Sequence, residues 1–310
     1  MTKLIQKNRK GQLFTIGAIL LITLMFLSFE LFSFLQENKS IRTRVSTMDN
    51  FLNSVEINLQ RQIYISGFRI IFLAESQITS TGDYIPNIDS FFKEAFFNGT
   101  INGEEENSTL LGVTYGDLIK SLNNKAKKIN VNITLNDSQL IVTQSDPWNV
   151  NITLVSDFSM IDKSDLAKWE KVQRISTLIP ITFFEDPFFT VNSYARISRK
   201  ISQTPYEGNY VSGSDVSNLY DHVEKGYYAA NSNAPSFLNR LEGDFSPDVN
   251  GIESFVDISE LSAQGISVYD KTTIDYLYFS FENPSTHSVS GMQTWFKIDG
   301  IDGHFEKYGV

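Results

Sequence analysis

Histidine is the side chain that most often serves both in acid–base catalysis and as a metal ligand, and this chain has three, His222, His287 and His304. None lies in the His-Glu-x-x-His spacing by which one helix face binds zinc. His222 and Glu224 form a loose His-x-Glu pair on a predicted helix, but residues two apart face different ways. We therefore predict that His222 lies on the solvated surface and binds no metal.

Motifs for covalent or nucleotide chemistry are missing from the sequence. There is no Gly-x-Ser-x-Gly elbow for a hydrolase, no P-loop and no dinucleotide fingerprint. Ser212-Gly-Ser214 is better explained as a turn and a helix cap. The sequence therefore predicts a protein that is not an enzyme and needs no organic cofactor.

One stretch has oxygen ligands at the spacing of a calcium loop. Counting from Ser246, the residues Asp248, Asn250 and Gly251 match the third, fifth and sixth positions, where such loops carry ligands and a glycine for the sharp turn. The first ligand is replaced by Ser246 and the terminal glutamate by Asp257. Asp248, Asn250 and Asp257 are candidate calcium ligands, and an ordinary turn is the alternative.

Composition indicates a folded, acidic protein. The 310 residues are 41% hydrophobic and 13% aromatic, too much apolar surface for a disordered chain. The formal net charge is −10, which repels phosphate backbones, so we expect no nucleic acid as a partner. The absence of cysteine excludes disulfides, thiolate metal sites and lipid attachment through a cysteine.

An apolar segment near the amino terminus fits a bilayer. Leu13 to Leu35 contains one charge, Glu30, and a helix of that length reaches about 30–35 Å. A removable signal peptide has a shorter apolar stretch and a cleavage site of small residues, and Phe32-Ser-Phe-Leu offers no such site. The segment is predicted to stay on the protein, with the lipid bilayer as its partner.

The junction Arg9-Lys10-Gly11-Gln12 resembles the processing site of archaeal type IV pilin-like proteins, with a basic pair, a small residue and then a hydrophobic helix. The resemblance implies cleavage between Gly11 and Gln12 by a membrane peptidase, with the apolar helix retained. Bacterial pilins carry a glutamate five positions into the mature chain, where this chain has Ile16. An uncleaved signal anchor is the alternative. Segments beginning at Phe92 and Ala234 also resemble uncharacterised archaeal membrane-anchored surface proteins.

Orientation rests on two observations. Basic residues flank the apolar run on both sides, four before it and Lys39, Arg42 and Arg44 after it, so the positive-inside comparison decides little. Asn-x-Ser/Thr acceptors favour a body outside the cytoplasm, because half of the asparagines between Asn98 and Asn151 are acceptors. The glycosylation candidates are Asn38, Asn98, Asn107, Asn132, Asn136 and Asn151. A polar region rich in Asn and Thr is the alternative explanation.

Hydrophobic periodicity predicts an α+β fold behind the membrane helix. Apolar residues three or four apart from Val45 to Ile63 predict an amphipathic helix that continues, or closely follows, the membrane helix. Three alternating runs between Val131 and Val155, separated at Asn136 and at Ser145, predict an antiparallel meander. Late strands are predicted at 274–281 and 294–298, while 165–181 is ambiguous. The predicted divisions are a basic leader 1–11, a transmembrane helix 12–35, an amphipathic helix 36–78, an α+β domain with the meander 79–186 and a second α+β domain 187–310.

The expected function follows from placement, since no chemistry is indicated. We expect a single-pass membrane protein with its bulk outside the cytoplasm, acting structurally or in adhesion, with other pilin-like subunits or envelope proteins as partners. Its size favours a minor subunit or a solitary protein. The alternatives are an uncleaved surface protein that binds an extracellular ligand, and an ectoenzyme of unknown class.

Overall fold

The computed structural model describes residues 2–164, 166–206 and 208–310, with side chains from Gly11 onward. It confirms an α+β fold. The helices are α1 Thr2–Thr81, α2 Ile88–Asn98, α3 Tyr115–Lys127, α4 Pro187–Asn192, α5 Ser217–Lys225, α6 Phe237–Glu242, α7 Ile258–Ala263, α8 Asp275–Phe279 and α9 His304–Tyr308. The strands are β1 Thr100–Ile101, β2 Glu104–Glu105, β3 Val131–Asp146, β4 Asn149–Asp162, β5 Lys168–Pro180, β6 Ala229–Ala230, β7 Ile252–Glu253, β8 Thr286–Ser288 and β9 Lys297–Asp299.

Helix α1 joins the predicted membrane and amphipathic segments without a break. Its 80 residues correspond to about 120 Å of helix. The first part projects from the body, and the second part is held by a buried stripe three or four residues apart, Met48, Leu52, Val55, Leu59 and Ile63. The predicted stripe is confirmed except at Val45, which is exposed. The helix also runs three residues beyond Ile78, the predicted end of the amphipathic segment.

The body is built on a three-stranded antiparallel sheet in the order β3-β4-β5. Its inner face packs against α1 and α3, because β3 alternates buried residues such as Ile133 with exposed ones such as Asn132. At Gly67 the helix comes so close to the sheet that a side chain there would meet Ile152 and Ile179. The ambiguous segment 165–181 thus supplies the third strand, β5.

The predicted break at Asn136 is wrong, because it is a bulge within one long strand. Pairing with β4 shifts between Asn136 and Gln139, and Asp137 adopts a positive φ of 48°. Aspartate tolerates this left-handed conformation, so one residue can be inserted without ending the strand. The bulge is fixed by Ser138, whose Oγ donates to Ser156 Oγ at 2.8 Å.

The second half consists mainly of short helices and two-stranded pairs. The predicted strand at 274–281 is wrong, since Asp275–Phe279 form helix α8. Four consecutive residues from Asp275 to Tyr278 are buried, so the apolar alternation did not mark one face of a strand. The strand predicted at 294–298 is confined to Lys297–Asp299, where it pairs with β8.

Local signals placed several helices of this half correctly. The sequence predicts a short helix that begins at Pro235 and is stopped by Gly243. Helix α6 begins two residues later, is capped by Ser236 and ends at Gly243, which has a φ of +71°. Helix α5 begins at Ser217, with Asp215 Oδ1 accepting from its backbone N–H at 2.9 Å. The largest core group includes Met48 of α1 and Leu241 of α6, so it extends across the predicted division near residue 186.

Candidate functional site

The projecting part of α1 is the largest uncovered apolar surface among the described side chains. Its best 18-residue window has a mean hydropathy of 2.3, and none of that window is buried by the rest of the chain. Exposed side chains include Phe14, Phe26 and Phe34. The chain therefore has one helix, among the residues described, that is long and apolar enough to cross a membrane.

The predicted processing residues Gly11 and Gln12 lie within this helix. Thr15 Oγ1 donates to the carbonyl oxygens of Gly11, at 3.0 Å, and Gln12, at 2.9 Å. Both residues are exposed, and space around Gly11 is open. The rest of the basic leader has no described side chains. Cleavage at this bond stays a prediction.

The glycosylation candidates differ in exposure. Asn132 and Asn136 are exposed on the outer face of β3, and Asn107 is exposed in a loop. Asn98 ends α2 and is exposed, whereas Asn38 is half-buried in α1, where its Nδ2 donates to the carbonyl oxygen of Phe34 at 2.9 Å. Asn151 is half-buried with an unpartnered Oδ1.

The candidate calcium ligands take part in turn and cap contacts. Asp248 Oδ1 accepts from the backbone N–H of Asn250 at 2.7 Å, and Asn250 Nδ2 donates to the carbonyl oxygen of Gln144 at 2.8 Å. Asp257 caps helix α7, accepting from the backbone N–H of Ser259 at 2.8 Å. Within the described residues no group of three His, Asp or Glu side chains is arranged to hold a metal ion.

An ion cluster around Arg240 was not predicted from the sequence. Arg240 is fully buried and its Nη1 donates to Asp186 Oδ2 at 2.6 Å and to Asp275 Oδ2 at 2.9 Å. Tyr228 Oη donates to Asp186 Oδ2 at 2.7 Å, and Ser254 Oγ donates to Asp275 Oδ2 at 2.8 Å. Burial raises the pKa of Asp275. The cluster joins α4, α6 and α8, so it stabilises the second half of the chain.

A second buried cluster surrounds His304. Its Nδ1 lies 2.8 Å from Asp299 Oδ1, and its Nε2 lies 3.1 Å from Glu253 Oε2. Lys307 and Tyr308 both donate to Glu253 Oε1, Tyr308 at 2.8 Å. The two carboxylates flank the ring at opposite nitrogens. The nearest sequence signal is the pair Asp299 and Asp302, separated by Gly300 and Ile301, and it does not point to His304.

The prediction that His222 is a surface residue is wrong. Its ring is fully buried, with Nδ1 3.0 Å from Thr204 Oγ1 and the ring edge-on to Tyr210 and Phe255. The reason is that α5 turns this side chain toward the aromatic core of the second half. Burial lowers the pKa of His222 to about 3, so the ring is neutral at physiological pH.

Comparisons with protein families, with curated proteins and with solved structures found no match.

Burial and buried contacts shift the pKa values of His304, Glu253 and Glu75 away from those of the unfolded chain. Burial alone opposes the charged ring of His304, but the bonds to Asp299 and Glu253 raise its pKa to about 9. Burial likewise opposes charge on Glu253, but His304 and Lys307 lower its pKa to about 2. Glu75, near the end of α1, has its pKa raised by burial to about 9. The folded body therefore contains a charged histidine and a neutral glutamic acid at pH 7.

The free energy of unfolding is expected to fall as the pH rises from 6.5 to 9. The stabilising contribution of His304 is complete below its unfolded pKa of 6.5 and is lost as the pH passes about 9. Glu75 acts in the same direction, because its folded pKa of about 9 exceeds its unfolded value of 4.5. Denaturant titrations at a series of pH values measure this slope.

The variants His304→Gln and Glu75→Gln are the controls for that slope. Each removes one of the protons that the folded state retains, so each should flatten the curve between pH 6.5 and 9. A wild-type stability that stays constant or rises over this range would contradict the assignment.

Proposed function

We propose that this chain is a membrane-anchored structural or adhesion protein with its body outside the cytoplasm, and that it acts as a minor type IV pilin-like subunit. The observation that carries the proposal is the single helix α1. Its first part has uncovered apolar side chains, and its second part is the central element of the body's core. Uncovered apolar surface of this extent marks a membrane or an association surface.

The arrangement of the body supports the pilin-like interpretation. An amino-terminal helix packed along an antiparallel sheet is how pilin-like heads are arranged, and here α1 lies along β5 and β4. The basic pair before Gly11 and the open surroundings of that residue suit a membrane peptidase. After cleavage the apolar helix would pass from the bilayer into contacts with the same helix of other subunits.

Mass spectrometry of the native amino terminus tests the proposal. A mature chain that begins at Gln12 is the expected result, and an intact Met1 would count against pilin-type processing. The variant Gly11→Asp places a charge at the predicted bond and should abolish cleavage and any filaments shed into the medium. The matched control is Gly17→Ala, another glycine of α1 with open space around it, which should be processed normally.

A second candidate is an uncleaved surface protein that binds an extracellular ligand. It is favoured by a groove of about 640 Å³ near the distal end of α1, lined by Phe68, Phe72, Glu75, Phe183 and Lys200. Phe183 is 78% exposed and has a positive φ of 78°, a costly conformation for an aromatic residue. An intact amino terminus, together with loss of ligand binding in Phe183→Ala, would favour this function.

A further inference from the structure

The membrane-proximal end of the body is fixed to α1 through Arg44. Arg44 Nε donates to Asp162 Oδ1 at 2.7 Å, and its Nη2 donates to the carbonyl oxygens of Ile129 and Asn130 at 2.5 and 3.1 Å. These partners belong to the α3–β3 turn and to the end of β4. Both connections therefore lie beside residue 44, about 14 Å along the helix from the last apolar residue, Leu35.

The tip of the β4–β5 hairpin lies beside the stretch of α1 that follows the apolar segment. A polar cavity of about 610 Å³ is lined by Gln36 and Lys39 of α1 and by Ser164 and Leu166 of the hairpin. Arg44 and Thr47 also line this cavity, so the tip faces the stretch of α1 within about 18 Å of Leu35. Leu166 is 46% exposed there. The hairpin is thus the part of the sheet nearest to the membrane.

This end of an acidic protein is basic. Residues 36–44, 125–130 and 162–171 contain nine Lys or Arg against four Asp or Glu, a net charge of +5 in a chain whose total is −10. We define the basic collar as the exposed Lys and Arg residues of this group, which are Lys39, Arg42, Lys125, Lys127, Lys128, Lys163, Lys168 and Lys171. Residues far apart in the sequence contribute to it, because α3 and β4 both end at this level.

The collar lies within reach of lipid phosphates. The headgroup layer of one leaflet adds about 5–8 Å to the hydrocarbon core, and Lys39 lies about 6 Å beyond Leu35 along the helix. Lysine side chains extend toward such a layer, and electrostatic attraction acts over about 8 Å at physiological ionic strength. Each lysine this close to the surface therefore contributes separately to the attraction for anionic lipid.

We propose that the basic collar binds the anionic phosphate headgroups of the leaflet that the body faces, with Leu166 entering the interface. The inference rests on the membrane anchoring proposed above, and it goes further by assigning a lipid class to a surface of the body. The charge complementarity and the continuity of the collar with the apolar span both favour lipid over a soluble polyanion, which would meet the acidic remainder of the chain.

The experiment uses the full chain in nanodiscs of phosphatidylcholine with or without phosphatidylglycerol. The quantity measured is the enrichment of phosphatidylglycerol beside the protein, by native mass spectrometry. We expect about fivefold enrichment for each lysine–phosphate contact, decreasing as salt increases. The variant Lys127→Gln/Lys128→Gln/Lys163→Gln should lose it.

A matched variant tests whether the position of the removed cations matters, or only their number. Arg174→Gln/Lys200→Gln/Lys225→Gln also removes three exposed cations, but from higher on the body, and it should keep the enrichment. Equal enrichment in the wild type and the collar variant would overturn the proposal. Displacement of the lipid by soluble glycerol phosphate at equal concentration would also overturn it, and would indicate a site for free anions instead. Self-association of the protein that depends on salt but shows no lipid preference would overturn it as well.

The depth of Leu166 in the membrane interface is measured in a separate experiment. Because the chain has no cysteine, a single introduced cysteine can be labelled uniquely. A nitroxide at Leu166→Cys should be accessible to lipid-soluble oxygen, while one at Val249→Cys should contact only water-soluble relaxants. Two failures are distinguishable. A chain that enters the disc without headgroup preference refutes the collar and leaves anchoring intact, whereas a chain that stays out of the disc refutes anchoring itself.

Discussion

Replacing Arg240 by methionine is expected to lower the free energy of unfolding by about 3–5 kcal/mol. Methionine retains most of the volume but removes the cation between Asp186 and Asp275, both of which are fully buried. The two carboxylates are then left without the charge that balances them. Urea denaturation of the full chain, followed by the fluorescence of its three tryptophans, measures the loss.

The control for this variant is Lys297→Met, which breaks an ion pair with Asp270, a side chain that is 81% exposed. Exposed pairs contribute about 0–1 kcal/mol, so this change should be small. The triple variant Arg240→Met/Asp186→Asn/Asp275→Asn should recover part of the stability, because no unbalanced buried charge remains. A loss for Arg240→Met as small as that of Lys297→Met would contradict the role given to the cluster.

Replacing Gly251 by alanine is expected to cost about 3 kcal/mol, the upper end of the range for overpacking. A Cβ at this position would meet the backbone carbonyl oxygens of Ala234 and Asn231, which cannot move as a side chain can. Both segments are held beside Gly251, since the Asn231 N–H donates to the carbonyl oxygen of Gly251 at 2.9 Å and the Ile252 N–H donates to the carbonyl oxygen of Pro235 at 3.1 Å. The midpoint of thermal unfolding measures the effect.

Gly116→Ala is the control, and it is expected to change the stability in the opposite direction. Gly116 lies inside α3, and its Cβ would be 3.7 Å from Thr114 Oγ1, an ordinary contact. Alanine favours the helix by about 0.5–1 kcal/mol over glycine, so this variant should gain stability. If Gly251→Ala unfolds at the wild-type temperature while Gly116→Ala is stabilised, the close approach at Gly251 is not a constraint.

Sequence reasoning succeeded where the signal is local. The stripe from Met48 to Ile63 specified which face of α1 is buried, because spacing of three or four residues fixes a helix face whatever packs against it. The end of helix α6 was predicted from Gly243, whose left-handed cap conformation depends only on neighbours in the chain, whereas its start was expected at Pro235 and lies two residues later. Such features can be predicted from a short stretch of sequence.

The buried ion clusters could not be predicted in the same way. Asp186, Arg240 and Asp275 are separated by 54 and 35 residues, and nothing in the local pattern distinguishes them from surface charges. His222 was misplaced for the same reason, since its burial depends on Tyr210 and Phe255. The basic collar also depends on tertiary contacts, because Arg44 brings two distant turns to one level.

The continuity of α1 has a mechanical consequence. One contact that would carry tension from the distal half of the body into the helix is at Glu75, which accepts from the backbone N–H of Glu185 at 2.8 Å. From there the tension would run along the helix axis toward the apolar segment. Strand β5 lies along the same helix, so the sheet is loaded in shear, with many backbone bonds sharing the force instead of opening one at a time. With no flexible linker between Leu35 and Met48, the body transmits a pull or a torque to the apolar segment of α1 without slack.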